Sequence, residues 1–162
     1  MIAIQNLHLF GEDISASQTW TLLDWCSKQG VDEFTVDLLW LADSAALLCD
    51  EFEAALASFR LPDAMREHLT AATRADINRS TRLWRMSAES QSLLQSYLKD
   101  GLFTPPSYSE GGWLEDPTFY RNGSLILGIV SHENEGLARV TADEALQFTC
   151  LGIQTRSHAE WI

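Results

Sequence analysis

Apolar side chains recur through residues 31–59 at Val31, Phe34, Leu38, Leu41, Ala45, Leu48, Phe52, Ala55 and Phe59. From Phe34 onward the steps alternate four and three without a break. That spacing draws one apolar stripe on a helix face and predicts a single helix of about 27 residues, roughly 40 Å long at about 1.5 Å per residue. In a chain of 162 residues such a helix would organise the fold. One stretch competes. Phe34-Thr35-Val36-Asp37-Leu38-Leu39-Trp40 is rich in β-branched and aromatic residues, as strands are. A strand there, then a break near Asp43-Ser44 where a new helix could be capped, is the main alternative. Continuity of the stripe to Phe59 favours the helix, with Asp32 as its N-cap.

The flanking signals extend a helical reading. Asp13 or Ser15 caps a first helix to about Gln29, with Trp20, Leu23 and Cys26 on one side and Gly30 as its stop. Pro62 suits the first turn of a third helix reaching Arg85. Met65, Leu69, Ala72, Leu83 and Trp84 line one side of it, and Arg74, Arg82 and Arg85 the other, with Arg79 nearby. Ser87 caps a fourth helix that turns Leu93, Leu94, Tyr97 and Leu98 inward and ends at Gly101. Composition then changes. Residues 104–112 are rich in Pro, Gly and Ser and read as a loop. Asn122-Gly123 supplies the positive φ angles of a two-residue hairpin turn between Thr118–Tyr120 and Ser124–Val130. The second of these strands is apolar on both faces and needs cover on both. Leu137–Val140 makes a third strand, and Thr141 with Glu144 forms a capping box for a last helix to Cys150, closed by Gly152. Ile2–Phe10 can add a strand.

The expected fold is therefore α+β and mainly α: a four-helix antiparallel unit, then a small antiparallel β-meander and a C-terminal helix. We expect one domain, 1–162, with the helical part at 13–101 and the meander plus helix at 113–152 docked on it.

The net charge is −12, which repels nucleic-acid phosphate and draws a basic partner. The charge is uneven. Residues 1–60 hold ten acids against two bases, whereas residues 61–100 hold five against six. Part of the acidity can thus pair with the arginine-rich middle. Cys26, Cys49 and Cys150 are odd in number and far apart, which suits a reducing compartment better than a disulfide scaffold. No basic region followed by an apolar run opens the chain, and no stretch approaches the about 18 apolar residues of a membrane span. A cytoplasmic location without membrane attachment is expected.

Phosphate-loop, dinucleotide, HExxH, nucleophile-elbow and zinc-type cysteine patterns are absent from the sequence, so neither a cofactor nor a familiar catalytic constellation is expected. Four leads remain. His132-Glu133-Asn134-Glu135 offers an imidazole and carboxylates that could hold a divalent ion or move protons. Against that, strand alternation would turn Glu133 and Glu135 away from His132, and the run also reads as a solvated turn. Tyr108, Trp113 and Tyr120 bracket a Gly-rich acidic segment where aromatics could grip a partner, or where Trp113 and Leu114 simply pin the loop to the core. The arginine side of the third helix reads as a solvated or ion-paired face. Asp43, Asp50, Glu51 and Glu53 form an acidic surface; a di-metal site there would need ExxH partners, which His68 does not supply. The leading expectation is a small acidic protein-binding domain of adaptor, regulatory or immunity-like character that recognises a basic protein. The rivals are an enzyme or metal-binding domain around His132, Glu133 and Glu135, and a structural homodimer formed through the long stripe.

Overall fold

The computed structural model describes residues 1–69, 75–104 and 111–157. Its strands are β1 (Ile4–Phe10), β2 (Glu33–Leu41), β3 (Ile77–Arg85), β4 (Gly112–Arg121), β5 (Ser124–Val130), β6 (Glu135–Thr141) and the two-residue β7 (Arg156–Ser157). The helices are α1 (Ala16–Lys28), α2 (Leu47–Ala55), α3 (Ala88–Tyr97) and α4 (Ala142–Cys150). All the strands join one sheet in the order β3-β2-β4-β5-β6-β1-β7, and every pairing is antiparallel. The expected four-helix unit with a small meander is overturned: the sheet dominates this α+β fold.

The reason lies in the stripe itself. A step of four fits a helix face, but it also fits one side of a strand, where side chains alternate. Phe34, Val36 and Leu38 are buried on one side of β2; Thr35, Asp37 and Leu39 are buried on the other. A strand covered on both faces reads as a near-continuous run, and tertiary cover decides the matter. The predicted helix over 31–59 is replaced by β2, a turn through Asp43-Ser44, α2 and a 3-10 turn at Ala57–Phe59. Asp32 caps no helix. Its Oδ1 accepts the Asn122 amide at 3.0 Å and its carbonyl accepts the Met86 amide at 2.8 Å.

The third helix is overturned in the same way. Residues 61–69 carry no regular secondary structure, and Leu83 and Trp84 lie in β3. Odd spacing puts Arg82 and Arg85 on opposite faces of that strand. Ala72 and Arg74 lie outside the described residues.

The signals with a local mechanism hold. Ser15, Ser87 and Thr141 each close a capping box. Asn122 and Gly123 take φ of 50° and 77° in the β4–β5 turn, as a type I′ turn requires.

One row of side chains crosses the sheet on its core face. Trp84, Phe34, Phe119, Leu127, Ala138 and Leu7 are consecutive cross-strand partners, all buried. Phe34 stacks on Trp84 at 5.8 Å between centroids. Leu22, Leu23 and Cys26 of α1, Phe52 of α2, Leu94 of α3 and Phe148 of α4 complete the same cluster. Phe52 meets Trp84 edge-on at 5.3 Å.

The other face is crossed by residues 61–69. The Leu61 amide donates to the Leu83 carbonyl at 2.9 Å. Arg66 forks onto Glu33 at 2.8 and 3.0 Å. The Tyr120 hydroxyl donates to the Glu67 carbonyl at 2.7 Å. Leu69 fills the space a side chain at Gly128 would need: a Cβ there would come within 2.7 Å of Leu69 Cδ1. Among the described residues no helix is long and apolar enough to cross a membrane.

Candidate functional site

Beside and beneath residues 61–69 the sheet carries charge where hydrocarbon would be cheaper. Asp37 and Asp116 have no exposed surface. Asp37 sits mid-β2, on the face opposite the core row. The Thr81 hydroxyl, across on β3, donates to its Oδ1 at 2.7 Å. His68 Nε2 lies 3.1 Å from the same carboxylate. The Arg79 guanidinium stands between the two buried acids, 3.4 Å from Asp37 and 3.7 Å from Asp116. A buried carboxylate persists only when it is paired and hydrogen-bonded, and Asp37 has all three partners. A cavity of about 520 Å³ opens from His68 and Thr81 toward Thr35, Arg66 and Tyr120.

Asp116 owes its place to a proline. Pro117 has no N–H for the ladder, so a central strand tolerates it only at an irregularity. The β2–β4 register slips between Thr35 and Asp37, which adds one residue to β4. Asp116 takes φ of 51° there, a conformation that Asp and Asn enter more readily than most residues. Two hydrogen bonds fix it. The Asp116 amide donates to Ser131 Oγ at 3.0 Å, and the Ser131 amide donates to Asp116 Oδ1 at 2.7 Å. Ser131 opens a 3-10 turn, Ser131–Glu133, which places His132 over the bulge. One donor atom each from Glu115, Asp116 and His132 lies within 4.8 Å of the others.

Burial pushes the Asp116 carboxyl up to about 6; the Ser131 amide restrains the rise, the charges of Asp37 and Glu115 add to it, and His132 opposes it. Burial also raises the Tyr120 phenol, against the hydrogen bond from Thr35. The second Asp116 oxygen, Oδ2, is buried and accepts no hydrogen bond among the described residues.

No protein-family model matches this chain, and neither a curated protein nor a solved structure matches it.

The residues singled out in the sequence are dispersed. His132 and Glu133 share the turn after β5, with His132 Nε2 3.7 Å from Glu133. Glu135 begins β6, paired with Val130 and Phe10. The carboxylates gathered with His132 are instead Glu115 and Asp116. Trp113 is half-buried on β4, and its indole N–H donates to Glu115 Oε1 at 2.9 Å. Tyr120 is fully buried. Tyr108 lies outside the described residues. Asp50 is exposed on α2, and Glu53 accepts Arg82 at 3.1 Å. Asp37, Asp116 and Ser131 were not singled out in the sequence as site residues, and Arg79 was placed only beside the arginine face expected to be solvated or ion-paired. Two signals could have found them: a lone acid inside an apolar run, and an Asp-Pro step between strand-forming residues.

Proposed function

We propose that the chain is a small binding domain that recognises a basic protein partner through its acidic helical surface. The observation that carries this reading is the fate of the arginines. Arg60, Arg66, Arg79, Arg82, Arg121, Arg139 and Arg156 each lie beside a carboxylate of the same chain. Most of the arginine charge among the described residues is thus met within the chain. On α2 and the turn before it, Asp43, Asp50 and Glu51 are exposed and make no ion pair among the described residues. Leu47 is exposed beside them and, at i,i+3 and i,i+4, shares a helix face with Asp50 and Glu51. An apolar anchor ringed by acids steers a cationic protein and then holds it. The same charge repels phosphate backbones. Three free thiols fit a cytoplasmic setting.

The test is affinity capture from native lysate with the full chain as bait. A Lys/Arg-rich protein should be retained at low salt and released as salt rises toward about 0.5 M, where screening is strong. The triple variant Leu47→Ala, Asp50→Lys, Glu51→Lys should lose it, while Glu89→Lys with Asp143→Lys should keep it. Failure to retain a basic protein, or equal loss in both variants, would refute the reading.

A further inference from the structure

The opposite face of the sheet carries a different chemistry. Glu115, Asp116 and His132 converge from the bulge of β4 and from the turn after β5, with their donor atoms within 4.8 Å of one another. A cluster of this size can be an accident of an acidic surface. The decisive observation is separate: Asp116 is fully buried, yet Oδ2 accepts no hydrogen bond among the described residues. Arg79 Nη2 is ion-paired with it at 3.7 Å but stands beyond hydrogen-bond length. A buried carboxylate oxygen without a hydrogen-bond donor is costly, and a directly coordinated cation would fill the position that the more distant guanidinium leaves open. The surrounding charge agrees. Among the described residues Asp37 and Asp116 share the Arg79 guanidinium, and Glu115 adds a further carboxylate beside Asp116. Glu133 Oε1 lies 3.7 Å from His132 Nε2.

We propose that Glu115, Asp116 and His132 form a binding site for a first-row divalent metal ion. The donor set selects the class. Carboxylates alone suit Mg²⁺ and Ca²⁺, whereas an imidazole with carboxylates suits Mn²⁺, Co²⁺ or Zn²⁺. The supports are built in. Ser131 holds one Asp116 oxygen, leaving Oδ2 without a donor, and the Trp113 indole N–H orients Glu115. Such outer contacts position ligands in metal sites. His132 is exposed and Glu115 half-buried, so the ion can enter from solvent. Three protein ligands leave coordination positions for water or a partner's donor group.

The experiment uses the full chain, stripped with EDTA and carrying Cys150→Ser so that the exposed thiol does not compete. Mn²⁺ and Co²⁺ are the probes, titrated by calorimetry and followed by Mn²⁺ magnetic resonance and Co²⁺ visible absorption. One saturable site per chain is expected, and bound Co²⁺ should acquire visible bands distinct from the hexaaqua ion. His132→Ala and Glu115→Gln, both at accessible positions, should each weaken binding by at least about tenfold, while His8→Ala should not. No saturable binding in the parent, or binding that survives both ligand variants, would overturn the proposal. Circular dichroism of each variant separates lost binding from lost fold. The partner reading stands or falls separately, because its variants lie on α2.

Discussion

Asp116→Asn isolates the cost of the buried carboxylate. Asparagine keeps the Oδ1 acceptor for the Ser131 amide, which donates at 2.7 Å, and tolerates φ of 51°. It removes only the charge. In the folded chain the carboxyl is raised from 3.8 to about 6. At about 1.4 kcal/mol per pH unit, ionising it in place costs up to about 3 kcal/mol. Part of that is returned when an amide NH₂ replaces Oδ2 near Arg79, so the variant should gain about 1–2 kcal/mol at pH 8. The sign follows from proton counts. Below 3.8 the carboxyl is protonated in both states, and the substitution gains nothing. Between 3.8 and about 6 the folded protein keeps a proton that the unfolded chain has released, so parent stability falls relative to the variant as pH rises. Above that window the difference is constant.

Urea unfolding with EDTA present, at pH 4 and at pH 8, reads this directly. With a slope of about 2 kcal/mol/M, the variant midpoint should rise by about 0.5–1 M at pH 8, and most of that gap should be gone at pH 4. A variant less stable than the parent at pH 8, or a difference that ignores pH, would refute the reasoning. The trade is a familiar one: a site that holds an unsolvated charge is less stable than its neutral copy.

Other contacts give sharper local tests. Tyr120→Phe removes the hydroxyl bound to the Glu67 carbonyl; it should cost about 1 kcal/mol and speed amide hydrogen exchange at residues 63–69. Asn122→Val places a β-branched residue at φ of 50° and should cost about 1–2 kcal/mol by thermal melt. Arg121→Gln breaks the 2.6 Å contact to Glu144, with an expected loss of about 1–2 kcal/mol at neutral pH. Burial raises the Glu144 carboxyl, but the Arg121 hydrogen bond and the Thr141 amide outweigh it and hold it below its ordinary range. Stability from that pair is therefore present at neutral pH and lost as acid protonates the folded carboxyl. The gap between Arg121→Gln and the parent should close on acidification.

Features legible in the sequence were those whose cause is local. Ser15, Ser87 and Thr141 announce helix starts because a side-chain oxygen caps nearby amides whatever the rest of the chain does. Asn122-Gly123 announces a hairpin because few other residues accept its angles. The first half of the chain resisted because its signal was ambiguous by arithmetic. Phe34 and Leu38 are four apart and satisfy both periods; only the step to Leu41 favours a helix, and Leu41 is half-buried at the end of β2. The residue that could have broken the tie was Asp37. Next to Leu38 and between Val36 and Leu39, it reads as the polar side of a helix, yet it is buried against Thr81, His68 and Arg79. Its partners come from segments that sequence proximity does not join. The site was hidden for the same reason. His132 was visible, but Asp116 reaches it only through a bulge, and Pro117 disguised that strand as a loop.

The bulge also explains why the buried acids cluster on one face. In a regular β4, Thr118 and Glu115 cannot both face the alternate residues Thr35 and Asp37, because they are three apart. The extra residue lets both partners be met, and its backbone amide and carboxylate are then turned toward Ser131. Arg79 lies within 4 Å of both buried acids and joins β2 to β4 through charge. Among the described residues the two buried carboxylates are met by Arg79 and, at Asp37, also by His68, and folding alone gives little reason to keep such groups, since apolar replacements are often neutral or stabilising. The proposed cation site lies at the edge of this cluster, where Glu115 and His132 reach solvent. Restoring Pro117 to an ordinary strand residue, as in Pro117→Val, should therefore affect metal affinity more than it affects the core row from Trp84 to Leu7, because the bulge positions the ligands whereas the core residues on the opposite face pack without it.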